Sequence, residues 1–522
     1  MRSAGSSEER SSPLEYLVPL VLAGLAAIPA WYFGGVSETR FFWPPVLFAA
    51  SVWIALVGLQ LAPRAAMPAA LLPLALVFAW VLFQLTPLSP RTLAWWSPTA
   101  AAAWSEADGG GGAESGSAGG ARRTISLFPE GTREEAALLF LGFAVFALAA
   151  HFLRSDRMLP LLFVSTAASG AALGLFAIVQ KMQNARKLYF EVDLSMGGVF
   201  YGPFVNRNHC AAYLAMCLAG AVAMLAWLDA RRRRKEREAL RQAGPQAAFF
   251  PEAEGWRQQA LESFRGFGPW HLTFLFGAAA IGAALMASGS RGAILSAALA
   301  AAAVALAWRI PQPDPDDDAE RGRSSGFVLA IAAALGAVAL AAWTGLDQQA
   351  FDRLGSLGEE GDAGQAYRAL HWREMAAAIP VFAKAGSGLG TYAVVSPGFT
   401  PNNRGRTFEH AENSYLEAIV ELGIPGAILL LVTLLLLLRA TALLLFNDGG
   451  RESRIFALAA TFVLISQAAH AAVDFALLSP ANLILFAAWM GAAAGRAARL
   501  ERARAKSGRT PARFISLPAS GS

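Results

Sequence analysis

The sequence predicts an all-α protein, a polytopic transmembrane helical bundle of about 12 spanning helices with a long outer loop before the last three. Three observations lead there. Hydrophobic residues make up 55% of the 522 positions and charged residues only 16%, with a mean hydropathy of +0.42, which points away from a string of soluble domains. The apolar residues come in blocks such as PLVLAGLAAIPAWYF, ALLPLALVFAWVLFQL and AILLLVTLLLLL, and about 20 helical residues cross a bilayer core. The blocks do not alternate apolar with polar residues in short segments, which excludes a barrel.

Spanning helices are expected near residues 14 to 34, 42 to 62, 67 to 86, 135 to 153, 159 to 180, 210 to 228, 271 to 288, 292 to 309, 327 to 345, 422 to 446, 455 to 474 and 480 to 498. The polar start MRSAGSSEERSS, and the absence of a small-residue cleavage signal after the first block, mark that block as a retained helix. Lysine and arginine bias orients the chain. Arg64, Arg154, Arg157, the run Arg231 to Lys235, Arg309 and the tail RAARLERARAK are expected in the cytoplasm together with both termini. Loops 87–134, 181–209 and 346–412 then face outside. The first holds EADGGGGAESGSAGGARR, a flexible linker by composition. Three regions follow: 1–134 with the first membrane helices and this loop, 135–500 as the main membrane domain, and 501–522 as a basic cytoplasmic tail.

The net charge of +5 and pI near 9.4 reside in short loops beside apolar blocks. They are read as topogenic charge, with membrane lipids and not nucleic acid as neighbours. Cys210 and Cys217 lie on one helix face, where a disulfide is geometrically implausible, so they are core hydrophobes. No Cys/His cluster has zinc spacing. The acidic run Asp314, Asp316, Asp317 and Asp318 is read as a solvated cytoplasmic loop and not as a metal site.

Four polar clusters stand at helix ends on the outer face, where polar residues are most informative. The first is Tyr201 to His209, in which Asn206, Arg207, Asn208 and His209 surround a helix N-terminus that favours an anion; the bland alternative is an interfacial cap. The second is the turn Ser288 to Gly292, whose Arg291 is on the wrong side for topogenic charge. The third joins Arg368 and Trp372, four apart on one helix face, to the Gly386 to Gly390 turn, which alone is weak evidence for phosphate binding. The fourth runs from Glu409 to Glu421. There Asn413, Glu417 and Glu421 form a stripe at spacing four, and the bland account is a polar seam within the bundle. His470 and Asp474 are expected to form a structural couple.

The segments GPFVNRNHCAAYL, SGSRGAILS, RALHWREMAAAIPVFAKAGSGLGTY and HAENSYLEAIVELGIPG, with HAAVDFALLSP after them, resemble in content and order the O-antigen ligase and O-antigen polymerase superfamily of bacterial inner-membrane glycosyltransferases. The resemblance spans roughly residues 130 to 500. It implies transfer of a glycan from a polyprenyl diphosphate carrier to an acceptor hydroxyl on a lipid, glycan or protein. The transfer is implied to occur at the periplasmic face, with no metal or cofactor. Substrate-binding residues are then Arg207, Asn208, Arg291, Arg368, Asn413 and Glu421, and the catalytic candidates are His410 and Glu412. In the family pattern a histidine stands immediately before the Asn of the last motif. Here that position is Glu412, and His410 lies two residues earlier. Ligases, chain-extending polymerases and protein O-glycosylating enzymes share these motifs. A transporter or flippase of lipid-linked glycans is the alternative, and it would place its ionisable groups near the bilayer midplane.

Overall fold

The computed structural model describes residues 13–35, 67–108, 122–192, 199–243, 266–309, 361–402, 408–446 and 450–507. The expected helices at 42–62 and 327–345, the aspartates at 314–318 and most of the Gly/Ser stretch lie outside them. The described elements are helical: α1 Pro13–Trp31, α2 Leu71–Gln84, α3 Pro90–Trp96, α4 Pro98–Ala107, α5 Pro129–Phe152, α6 Leu159–Met182, α7 Arg207–Ala243, α8 Pro269–Ala287, α9 Arg291–Trp308, α10 Gly361–Met375, α11 Ala378–Phe382, α12 Tyr392–Val395, α13 Ser414–Leu445, α14 Gly450–His470 and α15 Pro480–Ser507. Eight of them are long and apolar enough to cross a membrane. Two shorter apolar helices, Leu17–Trp31 and Leu71–Gln84, fall where spans were expected. The chain is a multi-pass helical membrane protein.

Helix starts follow local chemistry. Proline opens α3, α4, α5 and α8, where its missing N–H is no loss. Ser89, Ser97 and Ser290 cap α3, α4 and α9 with side-chain acceptors. The spanning segment expected from 422 belongs to a helix that begins at Ser414, as the stripe from Asn413 to Glu421 requires, because the Asn413 side chain accepts from the amides of Tyr415 and Leu416. Likewise α7 runs on through its arginines to Ala243, well past the apolar block that defined the expectation.

Lipid cannot drive helices together by the hydrophobic effect, so small residues and close packing must. The contact between α5 and α15 shows this. A side chain on Gly491 would overlap the Phe146 carbonyl, and one on Gly495 would overlap that of Ala150. Each step of four residues along α15 matches four along α5, so the helices run parallel. Phe163, Phe456 and Trp489 stack beneath, with ring centroids 5.9–6.4 Å apart. Cys210 and Cys217 are free and buried, as expected.

One end of the bundle is basic. Asp229 accepts from Arg232 at 2.8 Å and Arg233 at 2.9 Å. Arg454 donates to the Trp308 carbonyl, and Arg496 reaches Asp156 and the Arg154 carbonyl. The starts of α5, α7, α9, α13 and α15 and the ends of α2, α8 and α14 gather at the other end.

Candidate functional site

The frame of the site is the turn between α14 and α15. Asn206 accepts from the Asn208 amide at 2.8 Å, so the predicted cap exists and leaves the Asn208 side chain to reach outward. That side chain donates to Asp474 at 2.6 Å, and the Phe475 amide donates to the same carboxylate at 2.8 Å. His209 Nε2 stands 3.5 Å from it. Ser414 ties α13 to the turn, its amide donating to the Ala471 carbonyl and its hydroxyl to that of Asp474. Gly292 places the start of α9, and hence Arg291, against His470 and Val473. The expected His470 and Asp474 couple does not form. α14 ends at His470, so the chain leaves helical geometry before residue 474 and Asp474 turns toward α7.

His410 is the centre. Its Nδ1 bonds Glu417 Oε1 at 2.8 Å, while Glu417 Oε2 accepts from the Ala411 amide at 2.9 Å. Its ring stacks on Phe475 at 4.1 Å, and Phe475 presents a near-perpendicular face to His209 at 4.8 Å. Burial pushes against charge on His410, but the bond and charge of Glu417, helped by Glu421 and Glu135, raise its pKa from 6.5 to about 9. Beside it Glu412 adopts φ +50°, a left-handed conformation uncommon for a side-chain-bearing residue, and pairs with Arg368. Trp372, one turn beyond Arg368, donates to the Ala411 carbonyl at 2.7 Å. The shared face expected of these two residues is thus the face that holds segment 408–413.

Glu421 lies behind the site. It accepts from the amide of Tyr392 at 2.8 Å and from that of Gly390, and it is only 3% exposed. These bonds tie α13 to the start of α12. The glycine turn is likewise occupied by protein. The amides of Ser387 and Gly388 donate to the carbonyls of Val420 and Glu421, and Leu389 donates to Gln84. Gln84, fully buried at the end of α2, also donates to Ala385 and Glu421. This knot requires Gly423 at φ +67°, where α13 breaks, because a side chain there would overlap Gly386. The Tyr392 hydroxyl reaches His371 at 2.7 Å. Burial chiefly, then the surrounding glutamates, push that phenol upward, while burial lowers His371.

Of the sequence-predicted residues, Arg207, Asn208, Arg291, Arg368, His410, Glu412 and Asn413 are placed around one polar end, and Glu421 beneath it. Asn413 is occupied in capping α13. Glu417 was visible as part of the stripe, but its bond across the loop to His410 was not. Glu135 and His371 were not singled out; the only signal for Glu135 was a carboxylate entering an apolar helix. Arg207, Arg291 and Arg368 supply guanidinium groups suited to an anion, His410 and Glu417 a proton-handling pair.

Residues 276–431 match the family described as O-antigen ligase, a little under a third of the chain, running from within α8 to the middle of α13. No curated protein matches the chain. The matched stretch contains Arg291, Arg368, His410, Glu412, Asn413 and Glu421, and supports the resemblance to the O-antigen ligase and O-antigen polymerase superfamily.

Proposed function

We propose that the protein transfers a glycan from a polyprenyl diphosphate carrier to an acceptor hydroxyl at the periplasmic face of the bacterial inner membrane. The observation that carries this reading is the His410 and Glu417 pair at the same end of the bundle as three arginines. A base oriented by a buried carboxylate is the arrangement that activates a hydroxyl. As the acceptor oxygen attacks the anomeric carbon, its proton passes to Nε2 of His410, whose Nδ1 remains held by Glu417. The sugar–phosphate bond breaks, and the negative charge left on the diphosphate is taken up by Arg291 and Arg207, with Arg368 beside them. Bidentate guanidinium contacts suit that charge. No metal enters this scheme. Activity retained in a chelator supports that, whereas loss reversed by magnesium or manganese removes it.

The raised pKa favours a second assignment of roles, in which His410 as imidazolium neutralises the diphosphate and Glu412 takes the acceptor proton. The pH profile separates them. If His410 is the base, its neutral form is needed, and kcat/KM rises with pH until about 9 and then levels. If the imidazolium is needed, the rate falls through the same region. Glu417→Gln removes the main stabiliser of the charged ring, so in either case the inflection moves to lower pH. An inflection unmoved by this substitution takes His410 out of the chemistry. The glycan profile of a deletion strain identifies the reaction: single units without long chains indicate a polymerase, and lipid-linked polymer with bare acceptor a ligase.

A further inference from the structure

At the basic end most arginines meet a carboxylate. Asp229 takes Arg232 and Arg233, Glu452 takes Arg231, Asp156 takes Arg496, and Glu501 takes Arg439. Arg154, Arg499 and Arg502 differ, having no acidic partner among the described residues. Helix register puts them together. Gly491 packs on Phe146 and Gly495 on Ala150 in parallel helices, so one further step of four brings position 499 beside 154, just past the end of α5. Arg502, three residues on, shares that face. Arg496 holds the turn in place, donating to the Arg154 carbonyl at 3.2 Å and to Asp156 at 2.5 Å. The acidic residue of that turn is thereby occupied.

The charge is uncompensated. Burial, and then the charges of Arg499 and Arg502, lower the Arg154 pKa from its ordinary value, as expected where cations converge without a counter-charge. Their depth points to the kind of anion that would meet them. Arg154 follows the last residue of a spanning helix, Phe152, and Arg499 and Arg502 follow the apolar part of α15. Lipid phosphates lie at that level, and basic pockets between spanning helices bind them.

We propose that Arg154, Arg499 and Arg502 form a binding site for the phosphate of an acidic phospholipid headgroup. The test uses the full chain in nanodiscs of phosphatidylcholine, with and without cardiolipin, reading the melting temperature and the lipid retained in native mass spectrometry. The parent is expected to melt a few degrees higher with cardiolipin and to retain it. Arg154→Gln, and the triple variant that adds Arg499→Gln and Arg502→Gln, are expected to lose at least half of that shift. In pure phosphatidylcholine both are expected to be as stable as the parent or more so, because the repulsion is gone. Arg234→Gln, which removes an exposed cation paired with Glu238, should leave the shift intact. Equal shifts in parent and triple variant overturn the site. So does reproduction of the parent's shift by inorganic phosphate in pure phosphatidylcholine, which would assign the arginines to a soluble anion. Variants less stable than the parent in that lipid also overturn it, since the arginines would then be structural.

Discussion

Each end of the bundle buries an aspartate, and the two are satisfied in opposite ways. Asp229, 1% exposed, is held by Arg232 and Arg233, with Arg451 at 3.9 Å. Asp474, 2% exposed, is held by the Asn208 side-chain amide and the Phe475 backbone, with the His209 ring 3.5 Å away. Glu417 and Glu421 follow the second pattern, with an imidazole and backbone amides as donors. A carboxylate matched by guanidinium groups braces the charged end of its own helix, α7, with Arg451 of α14 beside it. One satisfied by amides and imidazoles asks nothing of the arginines nearby. On the proposed reading the guanidinium groups of the polar end, those of Arg207 and Arg291, meet a diphosphate and not a buried carboxylate's demand for charge.

The comparison breaks most sharply at His410. His410→Ala is expected to lower turnover by roughly 10²–10⁴-fold while donor binding persists, the range for removing a general acid or base. Single-turnover rates and donor affinity, measured at matched expression, decide it; a variant within about twofold of the parent would return His410 to a structural role. At the other end, Asp229→Ala leaves converging arginines without their anion and is expected to cost about 3–5 kcal/mol of stability. Transfer per folded molecule should be unchanged. If turnover falls with no change in unfolding, the two ends are not divided as described.

Smaller effects sharpen the division. Arg291→Gln is expected to weaken transfer by about 1.5–3 kcal/mol, the worth of a charge-assisted contact. Arg291→Lys should recover only part of this, because an ammonium lacks the planar fork; full recovery in kcat/KM would contradict bidentate binding. Smallest is Trp372→Phe, which removes one bond to the Ala411 carbonyl, at about 0.5–1.5 kcal/mol. It is expected to appear in kcat more than in unfolding, since segment 408–413 carries both His410 and Glu412. A purely thermal effect would make Trp372 a packing residue.

The sequence made the helices legible because a spanning segment is a local composition signal: nothing but length and apolarity is needed to recognise Leu159–Met182. Spacing within one helix was equally readable, and Arg368 and Trp372 do work on one segment as their separation required. Helix ends were less so. The cap at Asn413 and the charged extension of α7 depend on single side chains that a hydropathy window averages away.

That the polar clusters share one end of the bundle was legible in the apolar lengths between them. Which atoms meet was decided only by the tertiary structure. His410 finds Glu417 across a loop, Asn208 finds Asp474 across the chain, and Gln84 joins the glycine turn to α13. The glycine turn, weak evidence for phosphate binding when read alone, gives the amides of Ser387 and Gly388 to Val420 and Glu421. The reason is physical. A buried donor must be paired, but many partners satisfy that demand equally, and only the packing of α13 against α2, with Gly423 in its left-handed bend, selects one of them.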